Sequence, residues 1–144
     1  MKLRIDIDIS NRVTPENINE LKDNEIFCFG ANLAGRHGAG AAKLAFDKFG
    51  AKWGQGVGLY GKTYAIPTKN KKIETMDLYL IYPYVKEFIE DCKFYSQNHF
   101  LVTKVGCGLA GIPLKDMANL FKNAIFVENI SLPLEFWFEY GKTK

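Results

Sequence analysis

The sequence is poor in the residues that build disulfide frameworks and metal sites. Among its 144 residues there are three cysteines and two histidines. Cys28, Cys92 and Cys107 lie far apart and are odd in number, so neither a disulfide framework nor a CxxC metal clip is expected. With His37 and His99 as the only histidines, a structural zinc site is not expected either. We therefore predict no metal and no cofactor.

Long apolar segments are also missing. No run approaches the roughly 18 residues of a membrane span, and the N-terminal MKLRIDIDIS lacks the apolar core of a signal peptide. We predict a cytoplasmic protein with no membrane partner. The net charge of +3 is a mild excess that suits an anionic ligand and does not by itself indicate nucleic acid.

The composition is that of one globular domain. Hydrophobic residues make up 47% of the chain and charged residues 24%, both ordinary values. The length is sufficient to bury a core. No repeat, linker or change of composition divides the chain, so residues 1–144 are predicted to form a single domain.

Strand-like and helix-like patterns alternate along the chain. The predicted strands lie at residues 3–9, 25–30, 63–68, 100–105 and 124–128. The predicted helices lie at residues 14–21, 41–50, 74–97 (kinked or restarted at Pro83) and 113–121. The glycine-rich residues 53–62 are predicted to form a loop or a loose hairpin. This alternation predicts a three-layer α/β/α domain with a central mixed, largely parallel sheet.

Two glycine-rich loops each follow an apolar strand and precede a helix. They lie at residues 31–40 and 106–111. In an open α/β sheet, such loops meet at the carboxyl ends of the strands, where ligands bind. Free N–H groups at a loop that opens a helix suit phosphate. The pair therefore predicts a clamp for two phosphates, although the glycines could also serve only to turn the chain.

Two better-known phosphate motifs do not fit these loops. GRHGAGAAK lacks the GK[ST] ending of a P-loop, so no lysine and hydroxyl are positioned for a nucleoside triphosphate and magnesium. The third glycine of the dinucleotide fingerprint is also missing.

In the same residues the sequence resembles the macrodomains, a family of ADP-ribose-binding modules. ANLAGRHGAGAA at 31–42 resembles the stretch leading to the first-phosphate helix, and GCGLAGIP at 106–113 resembles the diphosphate loop. Residues 38–50 and 102–109 are most similar to the branch that contains terminal ADP-ribose protein glycohydrolase and the antitoxins that strip ADP-ribose from DNA. The chain also resembles small bacterial and phage proteins that share GRHGAGAA and GCGLAG.

The resemblance implies a macrodomain-like fold and a ligand site made by both loops. The implied ligand-binding residues are Asn32, Arg36, His37, Gly38, Ala39, Gly40, Ala41, Gly106, Cys107, Gly108, Leu109, Ala110 and Gly111. Asn32 would lie near the distal ribose. Lys69 matches the catalytic lysine of the glycohydrolase branch, but the position of that branch's aspartate is Ala110 here.

Several of these residues have a second interpretation. Lys69 could belong to a solvated basic turn, since Lys71 and Lys72 follow it. His37 could contact phosphate or be an ordinary loop residue. Cys107 could be a nucleophile, because a helix N-terminus lowers a thiol pKa, or a small packing residue. Aromatic residues that could include one stacked on adenine are Trp53, Tyr60, Phe136, Trp137 and Tyr140.

Three functions compete at this point. The first is binding of ADP-ribose or a related diphosphate nucleotide. The second is glycohydrolysis by Lys69 of ADP-ribose attached to protein or nucleic acid. The third is an interaction or regulatory protein whose macrodomain-like pocket holds no ligand.

Overall fold

The apolar run that begins at Ile26 forms the centre of a five-stranded sheet in the computed structural model, which describes residues 7–142. The strands are β1 (Glu25–Asn32), β2 (Gly58–Tyr60), β3 (Thr63–Lys69), β4 (His99–Val102) and β5 (Ile130–Ser131). The helices are α1 (Gly40–Lys48), α2 (Leu78–Phe94), α3 (Leu114–Leu120) and α4 (Leu134–Tyr140), with a 3₁₀ helix at Lys122–Phe126.

The sheet is mixed and mostly parallel, with the strand order β2-β3-β1-β4-β5. β1 pairs in parallel with both β3 and β4, and β4 pairs in parallel with β5. β2 is antiparallel to β3 and joins it through a tight hairpin, as the glycine-rich sequence allowed. Pro67 lies beyond the part of β3 that β2 covers, so its missing N–H disturbs no pairing on that side.

Alternate residues of β1 face two different cores, which confirms the predicted three-layer α/β arrangement. Ile26 and Cys28 pack into the larger core, with residues from α2, α3 and α4. Phe27 and Phe29 pack on the opposite face, with Ala45 of α1. A strand covered on both faces is nearly continuously apolar, which is the pattern of this segment.

The parallel pairing brings the carboxyl ends of β1, β3 and β4 to one edge of the sheet. Asn32 at the end of β1 lies opposite Lys69 at the end of β3. Cys28 of β1 lies opposite Val102, the last residue of β4. The segments that follow β1 and β4 are the two glycine-rich loops, so both leave the sheet at this edge.

The helix predicted at residues 14–21 is wrong. Residues 14–21 form bends and irregular structure that cross the α1 face, where Ile18 is buried in the smaller core. The Thr14 hydroxyl caps no helix and is buried without a hydrogen-bond partner among the described residues. The backbone N–H of Thr14 instead donates to the Leu132 carbonyl oxygen. Tertiary docking therefore overrides the local capping signal.

The strand predicted at residues 124–128 is also wrong, since this segment belongs largely to the 3₁₀ helix and β5 follows it. Buried Arg12 explains the difference. Its guanidinium donates hydrogen bonds of 2.8–2.9 Å to four carbonyl oxygens, those of Ala124, Ile125, Val127 and Ile130. A turn that points its carbonyl groups inward suits this cation, whereas a strand would direct them to neighbouring strands.

The other predicted elements differ mainly at their ends. α2 begins at Leu78 and continues through Pro83 to Phe94 as one helix. β4 ends at Val102, three residues before the predicted end. Helix α4, with buried Phe136 and Trp137, was not predicted. The strand predicted at residues 3–9 falls mostly outside the described residues. Within residues 7–142, no helix is both long enough and apolar enough to cross a membrane.

Arg12 provides a direct test of this packing. Its carbonyl oxygen also accepts a 2.7 Å hydrogen bond from Trp137 Nε1, and its guanidinium lies 4.9 Å from the Trp137 ring centroid. We expect Arg12→Ala to lower the free energy of unfolding by about 3–4 kcal/mol, because buried carbonyl groups lose a charged donor. Urea denaturation measures the change, with exposed Lys86→Ala as the control. A loss below about 1 kcal/mol would contradict this role.

Candidate functional site

Asn32 closes the first glycine-rich loop with its own side chain. Its Nδ2 donates to the Arg36 carbonyl oxygen at 2.8 Å, and its Oδ1 accepts from the Arg36 N–H at 3.0 Å. The loop then enters α1 at Gly40, whose φ of +60° lies in the left-handed region that glycine tolerates. The first N–H groups of α1 have no intrahelical acceptor, as at any helix start.

Gly106 shapes the second loop. Its φ is +74°, and a Cβ at this position would lie 3.0 Å from Ile112 Cδ1 and 3.2 Å from Thr68 Cγ2. The Gly106 carbonyl oxygen accepts from the Ile112 N–H at 2.9 Å. Within residues 7–142, the N–H groups of Gly108, Leu109 and Ala110 donate to no protein acceptor. These three amides are therefore available to a ligand.

The two loops border one cleft of about 530 Å³ at the carboxyl edge of the sheet. Of the predicted site residues, those that line it are Asn32, Arg36, Gly38, Ala39, Gly40, Ala41, Lys69, Gly106, Gly108, Leu109 and Ala110. The loops come within contact of each other, since a Cβ at Gly40 would lie 3.8 Å from Leu109 Cδ1. The volume lies in the range of small-molecule sites.

Gly38 and Gly108 have no structural reason to be glycine. Neither has a positive φ, and a Cβ at either position would meet no atom within 4 Å. Both residues line the cleft, one in each loop. Glycine at such positions leaves the main-chain amides open to close approach by a bound group.

The charged residues lining the cleft are all cationic. They are Arg36, Lys69 and Lys104, and no Asp or Glu lines the cleft in the described part of the chain. Lys104 forms ion pairs of 2.5 Å with Glu135 and 3.0 Å with Glu16. Hydrogen bonds to these two carboxylates raise the pKa of Lys104, so its ammonium stays charged at neutral pH. These two carboxylates balance the charge of Lys104. Arg36 and Lys69, which form no ion pair among residues 7–142, are therefore the cations that favour an anion in the cleft.

Lys69 lies at the end of β3, where its carbonyl oxygen accepts from the Leu33 N–H at 2.9 Å. Among residues 7–142 its ammonium makes no ion pair. Ala110 faces the same cleft and supplies no carboxylate, although its carbonyl oxygen accepts a 2.8 Å hydrogen bond from Thr75 Oγ1. The lysine of the glycohydrolase resemblance is thus in the cleft, but without its aspartate.

The structure does not bring His37, Cys107 or Gly111 to the cleft. His37 is 1% exposed, and its Nε2 donates to the Lys52 carbonyl oxygen at 2.8 Å. The Cys107 thiol contacts the Val105 carbonyl oxygen at 3.5 Å, and burial raises its pKa, which disfavours the thiolate that a nucleophile needs. None of the five aromatic residues proposed for adenine lines the cleft or the cavity beside it.

Other residues that line the cleft were not predicted from the sequence. Thr68 and Thr103 line the cleft from the ends of β3 and β4, and their position at strand ends was a usable signal. Ile73 also lines it, with φ of +63°, which is rare for a β-branched residue. The Asn70 Oδ1 accepts from the N–H groups of Lys72 and Glu74 and so holds this turn. No sequence pattern indicated this conformation of Ile73.

A second cavity of about 310 Å³ adjoins the cleft and shares Ala41, Thr103 and Lys104 with it. Its other wall is the irregular segment 14–19, together with Phe27, Leu44 and Pro133. Thr14 belongs to this wall, but its hydroxyl oxygen is buried and is not exposed to the cavity. The two cavities therefore lie next to each other, on either side of Ala41, Thr103 and Lys104.

Comparisons with known proteins support the fold and identify no family. No family model matches the sequence, and no curated protein matches it significantly. A solved structure of a protein of unknown function from Bacteroides thetaiotaomicron is similar, with a TM-score of 0.56 and 16% sequence identity. The similarity covers 80% of this chain and 88% of that chain. At this identity the likeness extends to the fold alone.

The glycines of the second loop are expected to differ in their tolerance of alanine. We predict that Gly106→Ala lowers the free energy of unfolding by about 2 kcal/mol, because a left-handed φ and close packing both oppose a Cβ. Gly108→Ala should change it by less than about 0.5 kcal/mol, since its Cβ meets open space. Thermal and urea unfolding of both variants measure the difference, and equal effects would contradict the loop geometry.

Proposed function

We propose that the protein binds ADP-ribose or a related nucleotide that contains a diphosphate. The observation that carries the proposal is the convergence on one cleft of two loops with free main-chain amides and two cations, Arg36 and Lys69, that form no ion pair among the described residues. Amides that point into a cleft, together with a helix N-terminus, bind phosphate oxygens. The macrodomain resemblance of both loops supports the same ligand and a place among macrodomain-like proteins.

The two neighbouring cavities suit a ligand that has a group at either end of a diphosphate. In this proposal the diphosphate lies between Gly38–Ala41 and Gly108–Ala110, beneath Leu109. The distal ribose lies toward Asn32 and Lys69. The nucleoside half extends past Lys104 into the second cavity, which residues 14–19 border.

Hydrolysis of ADP-ribose linkages is the second candidate, and the position of Lys69 in the cleft is what favours it. A lysine nucleophile must lose its proton. The resembling enzymes combine it with an aspartate, and the corresponding Ala110 has no acid–base group. Ligand binding therefore explains more of the residues in the cleft than hydrolysis does. A cytoplasmic location, where such nucleotides occur, is part of this proposal.

Ligand binding should depend on the open space over the loop glycines. We expect wild-type protein to bind ADP-ribose saturably and more tightly than AMP, and Gly38→Ala or Gly108→Ala to weaken binding about tenfold without loss of stability. Isothermal titration calorimetry with ADP-ribose, ADP, NAD and AMP measures this. Gly141→Ala is the matched control, because Gly141 ends α4 with an ordinary φ of −85°. Absence of saturable binding to all four ligands would overturn the proposal.

Lys69 separates binding from hydrolysis. We expect wild-type protein to release no ADP-ribose from ADP-ribosylated protein or DNA, and Lys69→Ala to weaken ADP-ribose binding modestly, through loss of one cation. Chromatography of the released nucleotide measures turnover, and exposed Lys71→Ala is the control. Wild-type turnover that disappears in Lys69→Ala, with binding retained, would establish the hydrolytic function instead.

A further inference from the structure

The positive charge of the chain is concentrated in its middle. Residues 26–73 contain eight Lys or Arg residues and a single acidic residue, Asp47. Residues 1–25 contain four basic and six acidic residues, and residues 74–144 contain seven basic and nine acidic residues. The mild net charge of the whole chain therefore conceals one strongly basic part, which comprises β1, α1, β2 and β3.

Three large aromatic side chains are exposed on this basic part. Phe46 of α1 is 42% exposed, Trp53 is 52% exposed and Tyr60 of β2 is 45% exposed. The Phe46 and Trp53 rings meet edge to face with centroids 5.5 Å apart, and the Lys52 ammonium lies 5.5 Å from the Tyr60 ring centroid. We call Phe46, Lys52, Trp53 and Tyr60 the aromatic–lysine surface.

Buried His37 lies beneath two of these rings, those of Phe46 and Trp53. The buried imidazole lies 6.4 Å from the Phe46 ring and 6.0 Å from the Trp53 ring, centroid to centroid, and its Nε2 fixes the Lys52 carbonyl group. A rigid exposed ring loses little conformational entropy when another ring stacks on it. None of the four residues of the aromatic–lysine surface lines the cleft or the second cavity, so this surface is separate from the proposed nucleotide site.

Two exposed lysines of this basic part, Lys48 and Lys52, are not neutralised by any acidic side chain that the structure describes. Asp47 forms a 2.5 Å ion pair with Lys43. Within residues 7–142, no acidic side chain forms an ion pair with Lys48 or Lys52, and both are exposed. The aromatic–lysine surface therefore combines three exposed rings with the ammonium of Lys52, which no carboxylate neutralises among the described residues.

We propose that the aromatic–lysine surface binds single-stranded nucleic acid. Unpaired bases stack on aromatic side chains, and lysines contact the phosphate backbone, whatever the base sequence. A duplex keeps its base faces hidden, so it could use only the lysines. The charge distribution favours a polyanion over a protein surface, since an exposed aromatic patch alone does not select phosphate.

The experiment uses a fluorescein-labelled oligodeoxythymidine of about 12 nucleotides and its duplex with the complementary strand. Fluorescence anisotropy should show saturable binding of the single strand, weaker binding of the duplex, and a loss of affinity with rising salt. Binding should also quench tryptophan emission, because Trp53 is exposed while the other tryptophan, Trp137, is fully buried.

Two matched pairs of variants test the surface itself. Phe46→Ala with Trp53→Ala should weaken single-strand binding about 5- to 100-fold, whereas Phe94→Ala, an 80% exposed aromatic at the end of α2, should not. Lys52→Gln keeps the rings and should flatten the salt dependence, whereas Lys86→Gln should not. ADP-ribose binding by the same preparations reports separately on the cleft and on correct folding.

The proposal is overturned if the single strand does not bind at low salt, if the duplex binds equally tightly, or if the control variants weaken binding as much as the surface variants. The tryptophan signal gives a further check. Anisotropy change without quenching of Trp53 would place the nucleic acid elsewhere and would also overturn it.

Discussion

The parallel pairing of β1 with both β3 and β4 is the constraint on which the candidate site depends. It places three strand ends at one edge of the sheet, and the register puts Asn32 beside Lys69. The strand can occupy this central position because its residues are apolar on both faces, with α1 on one side and α2 on the other. The two glycine-rich loops, which are far apart in the sequence, are thereby brought into contact.

Glycine gives this edge its chemical character. At Gly106 the backbone conformation and the packing against Thr68 require glycine, so that residue builds the loop. At Gly38 and Gly108 neither conformation nor packing requires it, and both residues line the cleft. The free amides and the cations then act together, since hydrogen bonds from fixed donors and a positive field both favour phosphate over neutral groups.

The sequence predicted the central strand, α1, β3 and the position of both loops, because those signals are local: apolar runs, and glycines next to a helical pattern. It failed where distant groups decide the structure. The capping signal at Thr14 gave no helix, because the segment docks against Leu132 and the smaller core. His37 was predicted to line the cleft, but the fold of the first loop places its side chain beneath Phe46 and Trp53. Other features depend on tertiary contacts that no local pattern contains. They include the ion pair of Lys104 with Glu135 and the left-handed backbone conformation of Ile73.

In the proposed site, main-chain amides from two separate loops bind one diphosphate. Amide chemical shifts of ¹⁵N-labelled protein, followed while ADP-ribose is added, test this most directly because each amide is observed individually. We expect the amides of Gly38–Ala42 and Gly108–Ala110 to shift together along one saturation curve, while those of α4 do not move. Shifts confined to one loop, or to residues outside the cleft, would contradict it.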